Sequence, residues 1–114
     1  MRVRKGLILL AALSGCVARA PLPATPGLTH AREVVINNYA FHPMLLRVPA
    51  GTTVRWVNRD IASHTVTGRS SSDEPFDSGL MTHDQVFAHT FPAPGTYAYL
   101  CVPHSGMQGT IIVQ

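Results

Sequence analysis

Cys101-Val102-Pro103-His104-Ser105-Gly106-Met107 sets a thiol, an imidazole and a thioether in one short stretch, and His64 stands 37 residues upstream in Ser63-His64-Thr65-Val66. One thiolate, two imidazoles and a thioether are the donors of a trigonal His₂Cys metal site with a long axial Met, an arrangement that suits copper. Copper(I) favours the soft sulfur donors and copper(II) the imidazole nitrogens, so a mixed set holds both oxidation states with little rearrangement. Four protein donors leave no open position for a substrate. The expected chemistry is one-electron transfer at a single copper, with His64, Cys101, His104 and Met107 as ligands and no catalytic residue.

The spacing C-x-x-H-x-x-M is of modest specificity alone, and a buried structural Cys with incidental His and Met is its plainer explanation. A convergent site requires particular elements. Three donors lie on one loop after a strand ending at Cys101, with Pro103 stiffening the turn, and His64 must arrive on a neighbouring strand. The sequence supplies such strands and no convincing amphipathic helix. Apolar or β-branched runs at 33–37, 45–48, 52–58, 64–67, 85–91, 96–101 and 109–113 are punctuated by Pro43, Pro49, Ala50-Gly51, a Gly/Ser/Asp-rich loop reaching Ser78, and Pro94-Gly95. Seven to eight short strands at this spacing predict an all-β sandwich.

The first residues do not belong to it. Arg2, Arg4 and Lys5 precede the short apolar run 7–13, which reads as a secretory signal; a membrane-spanning helix would need about 20 apolar residues. Leu13-Ser14-Gly15-Cys16 resembles the bacterial lipoprotein box, predicting a signal over 1–15 and lipidation of Cys16. The Pro-rich stretch 16–31 then reads as a tether, and 32–114 as the folded domain. The net charge of +3 comes from nine Lys+Arg against six Asp+Glu. Arg2, Arg4 and Lys5 account for all of the excess, and no basic stripe remains that would suit a nucleic acid. With Cys16 in the lipoprotein box and Cys101 in the ligand loop, no disulfide is expected.

The stretch from Val34 to Gln114 resembles a cupredoxin of the plastocyanin, pseudoazurin and amicyanin group. The resemblance is carried by Phe41-His42-Pro43, Val48-Pro49-Ala50-Gly51-Thr52, Val54-Arg55-Trp56-Val57-Asn58, Ser63-His64-Thr65-Val66, Phe76-Asp77-Ser78-Gly79, Pro94-Gly95-Thr96-Tyr97 and the segment Cys101 to Met107. Two residues between His104 and Met107 give the ligand loop the amicyanin length. The resemblance implies a Greek-key sandwich, one type 1 copper held by His64, Cys101, His104 and Met107, and redox partners that dock near His104. It also implies a periplasmic or envelope location, to which Cys16 would add a lipid anchor, and the protein is expected to be a monomer. Two positions depart from the group. Thr65 stands where Asn is frequent and Val102 where Ser or Thr is frequent, so one hydroxyl replaces a two-partner tie between the ligand loops, which are expected to be less tightly held. The Thr65 amide is still expected to donate to the Cys101 sulfur.

His30, His42, His83 and His89 are not needed by this site. His89 alternates with Phe87 and Phe91 and is expected to line the sandwich with a satisfied hydrogen bond, His42 and His83 to lie in loops, and His30 in the tether. Tyr97, after Pro94-Gly95, is expected to pin its corner. A second function is compatible with the same ligands: copper delivery or resistance without a redox partner.

Overall fold

A computed structural model of the protein describes residues 31–69 and 74–114. Cys16, the signal segment and the tether through His30 lie outside the described residues. Alternation of apolar side chains builds eight strands: β1 (Ala31–Asn37), β2 (Ala40–His42), β3 (Leu45–Val48), β4 (Thr52–Asn58), β5 (Thr67–Gly68), β6 (Val86–Phe91), β7 (Gly95–Leu100) and β8 (Gln108–Val113). They form two four-stranded sheets in the orders β2-β1-β4-β6 and β3-β8-β7-β5. The pairs β1/β4 and β3/β8 run parallel and the others antiparallel. Parallel neighbours cannot be joined by a hairpin, so the chain crosses between the sheets at β2–β3, β3–β4, β4–β5, β5–β6 and β6–β7. This is the expected sandwich.

The inward side chains of the two sheets form one core. Val34, Ile36, Phe41, Val54, Trp56 and Phe91 come from the first sheet, and Val48, Tyr97, Tyr99, Ile111 and Val113 from the second. Trp56 joins them: its ring lies edge-on to Tyr99 at 5.5 Å and near-parallel to Phe76 at 6.1 Å. Burial pushes the Tyr99 hydroxyl up to about 12, against a weaker pull from the Trp56 indole N–H, although neither group reaches full hydrogen-bond geometry. Gly109, opposite Tyr99 in the β7/β8 register, is required there, because a Cβ would collide with the Tyr99 ring. The Tyr97 hydroxyl donates to the Ala93 carbonyl at 2.7 Å, the expected corner pin.

Three expectations need correction. The first is β2, three residues that follow β1 after a two-residue turn; His42 therefore ends a strand and does not lie in a loop, and its Nε2 is 3.0 Å from the Asn37 carbonyl. The run at 64–67 shrinks to β5 and an isolated bridge between His64 and Met81. The amides that would extend it are committed elsewhere, that of Thr65 to Cys101 Sγ and that of Val66 to the Ser78 hydroxyl. His89 does line the sandwich, stacked on Phe76 at 5.1 Å. Its Nε2, however, lies 3.5 Å from a Glu74 carboxylate oxygen without hydrogen-bond geometry.

The β1–β2 turn is unusual in composition. Asn38 and Tyr39 have φ of 50° and 56°, the left-handed geometry of two-residue hairpin loops, where Gly is the favoured second residue. A side chain there costs roughly 1–2 kcal/mol per residue. The Asp60 carboxylate offsets part of that cost by accepting both turn amides, at 2.8 and 2.9 Å.

Candidate metal centre

The strand periodicity of two delivers the thiol. Tyr97, Tyr99 and Cys101 alternate inward, and Cys101 follows β7 at the pole where β1 and β4 end and β3, β6 and β8 begin. The loop behind it is closed by its own backbone: the Met107 amide donates to the His104 carbonyl at 2.8 Å, and the Cys101 amide to the Met107 carbonyl at 3.1 Å. These bonds turn His104 back over Cys101 and leave Met107 buried.

His64 comes from the opposite side, and Asn58 at the end of β4 places it. The Asn58 side-chain amide donates to the carbonyls of Ala62 and Met81, both at 2.9 Å, and its Oδ1 accepts the Asp60 amide. Met81 in turn pairs with His64 through both backbone bonds. The His64 ring is fully buried, and its Nε2 lies 2.8 Å from Asp60 Oδ2. A carboxylate only accepts, so Asp60 keeps the proton on Nε2 and leaves the Nδ1 lone pair facing inward. Burial pushes the Asp60 carboxyl up, but the Tyr39 amide, the His64 side chain and the Asn38 amide together outweigh it and hold the group below its ordinary 3.8.

Three donor atoms converge as a result. His64 Nδ1 is 3.2 Å from His104 Nδ1, and Cys101 Sγ is 3.7 and 3.6 Å from those two nitrogens. A triangle of these sides has its centre about 2.0 Å from each corner, close to transition-metal bond lengths of about 2.0 Å to nitrogen and 2.3 Å to sulfur. Lone pairs facing one another at this range repel and are complementary to a single cation. His64, Cys101 and His104 form a potential metal-holding group among the described residues, and the soft donor set fits copper.

The loops are tied differently from the expectation. The Thr65 amide does donate to Cys101 Sγ, at 3.4 Å, while the Thr65 hydroxyl accepts the Val102 amide at 2.8 Å. That hydroxyl is also 2.9 Å from the Thr67 hydroxyl, which is 3.1 Å from Asp77 Oδ1. The single hydroxyl is therefore anchored by a second threonine and a carboxylate, which supplies the support that the Thr65–Val102 pair was expected to lack.

A family model described as copper binding proteins of the plastocyanin/azurin family matches residues 29–114. The chain belongs to the plastocyanin/azurin family of copper binding proteins. Amicyanin from Paracoccus versutus is 35% identical over 100 residues, covering 86% of this chain and 72% of its own. A solved Cu(I) form of an amicyanin mutant superposes with a TM-score of 0.69 at 32% identity, covering 74% of this chain and 82% of that one. A Cu-containing nitrite reductase from Thermus scotoductus gives a TM-score of 0.68 at 31% identity over 76% of this chain but only 22% of that one. With the fold and the donor cluster, family membership makes this a blue copper electron-transfer protein that takes a single type 1 copper.

Asn58, Asp60 and Tyr39 carry no sequence signal that marks them as residues of the site. Asp60 stands four residues before His64, a spacing without meaning outside a helix. Tyr39 lies 25 residues from the nearest proposed ligand, yet its ring sits edge-on to both imidazoles, 5.0 Å from His64 and 5.0 Å from His104.

Proposed function

We propose that this protein is an exported, lipid-anchored carrier of single electrons, in which His64 Nδ1, Cys101 Sγ, His104 Nδ1 and the Met107 thioether would hold copper. The observation that carries this reading is the convergence of three donor atoms fixed from two sides of the sandwich. Copper, when bound, supplies the one-electron couple. Asp60 fixes the His64 tautomer, and the Thr65 amide withdraws charge from the Cys101 thiolate, which favours the reduced state. The loops that carry these groups are closed by backbone bonds and anchored at strand ends, so the geometry changes little with oxidation state.

The surroundings suit brief docking to redox partners. Met44, Ile61, Leu80 and Val102 are exposed apolar side chains, and strand order places them around the pole that carries His104. Such a patch is typical of interaction sites. With four protein donors no position remains for a substrate, so the protein is not an enzyme. The box Leu13-Ser14-Gly15-Cys16 supports a lipid anchor in the cell envelope, and an exposed apolar patch of four side chains suits a monomer that meets its partners transiently. Full burial of His64 and Cys101 favours retention of copper over delivery.

Voltammetry of the copper protein, followed by a challenge of the reduced form with a copper(I) chelator, separates the two roles. A reversible one-electron wave with copper retained is expected. Rapid surrender of copper on reduction would instead make this a delivery protein.

A further inference from the structure

A chain of hydrogen bonds leaves the ligand loop at Val102 and ends on a surface carboxylate. Thr65 Oγ1 accepts the Val102 amide at 2.8 Å, Thr67 Oγ1 lies 2.9 Å from Thr65 Oγ1, and Asp77 Oδ1 lies 3.1 Å from Thr67 Oγ1. Each hydroxyl has one proton, and a carboxylate only accepts. The Thr67 proton therefore points at Asp77, because two oxygens with no proton between them would repel. Thr65 then donates to Thr67 and keeps its lone pairs for Val102. Asp77, which is exposed, thus sets every polarity along the chain as far as the buried Thr65. The carboxylate is itself held in place. Phe76 is buried in the core and its carbonyl accepts the Gly68 amide at 2.7 Å, while the Ser78 amide donates to the Val66 carbonyl at 2.9 Å. Between these two bonds Asp77 faces Thr67 across an isolated bridge, and its Oδ1 also accepts the Gly79 amide at 2.9 Å.

Resting on the electron-carrier reading above, we infer that Asp77 is a remote positioning residue that sets the redox balance of the metal centre from the surface of the sandwich, acting through Thr67 and Thr65. Successive hydrogen bonds polarise one another. The charge of Asp77 draws the Thr67 proton and makes Thr67 Oγ1 the better acceptor for Thr65. Thr65 Oγ1 becomes in turn the better acceptor for Val102. Electron density is pushed along the chain toward the residue that follows the thiolate. Negative charge delivered there opposes the extra electron of the reduced site, so the chain favours the oxidised state. It acts against the Thr65 amide, which withdraws charge from Cys101 Sγ, and Thr65 is where the two effects meet. Solvent screens the same carboxylate acting through space, so the hydroxyls carry the effect.

The test is a double-mutant cycle read by the reduction potential of the copper-loaded protein. Asp77→Ala is made in the wild-type, Thr67→Ser and Thr67→Val backgrounds, and the visible spectrum of every variant is recorded alongside. Thr67→Ser keeps the hydroxyl, whereas Thr67→Val removes it and keeps the shape. In the first two backgrounds Asp77→Ala is expected to move the redox equilibrium toward copper(I) on the order of threefold, the scale of coupling within one hydrogen-bond network. In Thr67→Val it should move the equilibrium hardly at all, and every variant should keep the blue band. An equal shift in Thr67→Val would overturn the inference by showing that the charge acts through space. No shift in any background would overturn it as well. So would loss of the band in Asp77→Ala, which would make the carboxylate a prop of the fold. All three outcomes leave the carrier reading standing; a wild-type protein with no blue band or no reversible potential would overturn both readings.

Discussion

Thr65 links the two ligand loops at the scale of a single residue. Its amide points at Cys101 Sγ and its hydroxyl accepts the part-buried amide of Val102 at 2.8 Å. Thr65→Val preserves the shape but strands that amide, an unsatisfied donor worth about 1–3 kcal/mol. A loss of that size is expected in urea unfolding of the copper-free protein, with Thr65→Ser recovering most of it; equal stability for Val and Ser would show that the tie contributes nothing. Asp60 adds a pH dependence. Its carboxyl is held below 3.8 in the folded protein, so its contribution is complete above the unfolded value and lost as pH falls through the folded one. Asp60→Ala should therefore flatten the acid limb of stability of the copper-free protein and change its slope little near neutrality, a comparison made by acid titration followed by circular dichroism. The cluster of His64, Cys101 and His104 was legible because few residue types bind copper and Cys101 and His104 stand close together in sequence. Asn58, Asp60 and Tyr39 were not, since a strand-end Asn and two turn or loop residues look ordinary until the fold brings them to the site.

Elements were legible wherever apolar alternation ran long enough. The runs that became β1, β3, β4, β6, β7 and β8 carry that pattern, and Tyr97-Ala98-Tyr99 continues inward to Cys101, so fold and ligand share one periodicity. β2 was missed because three residues hold little pattern, and β5 was overextended because the pattern cannot show that side-chain and sulfur acceptors claim the amides of Thr65 and Val66. Packing between elements is most exposed to test at Gly109, over which the Tyr99 ring lies. Gly109→Ala forces a methyl into that ring and is expected to cost about 1–3 kcal/mol by overpacking. The urea midpoint should fall with little change in m-value. An unchanged midpoint would mean that the β7/β8 contact yields without strain.

For the molecule as a whole, metal and fold are coupled, because the donors come from two sides of the sandwich and meet only when it is formed. Copper bound at a thousand times its dissociation constant adds about 4 kcal/mol of stability, and for a domain of this size each kcal/mol moves Tm by about 4–8 °C. Calorimetry should accordingly find the copper-free protein melting lower by roughly 10 °C or more; coincident melting curves would mean that copper is not held by the folded sandwich. Composition is informative here only by exclusion: the excess of basic over acidic side chains is confined to Arg2, Arg4 and Lys5, which leaves no reason to look for a nucleic acid. The most direct test is the visible spectrum of the copper(II)-loaded protein beside that of Cys101→Ser. An intense blue thiolate-to-copper band that the substitution abolishes is expected. A folded wild-type protein without that band, or a Cys101→Ser protein that keeps it, would contradict the claim that His64, Cys101 and His104 converge on copper.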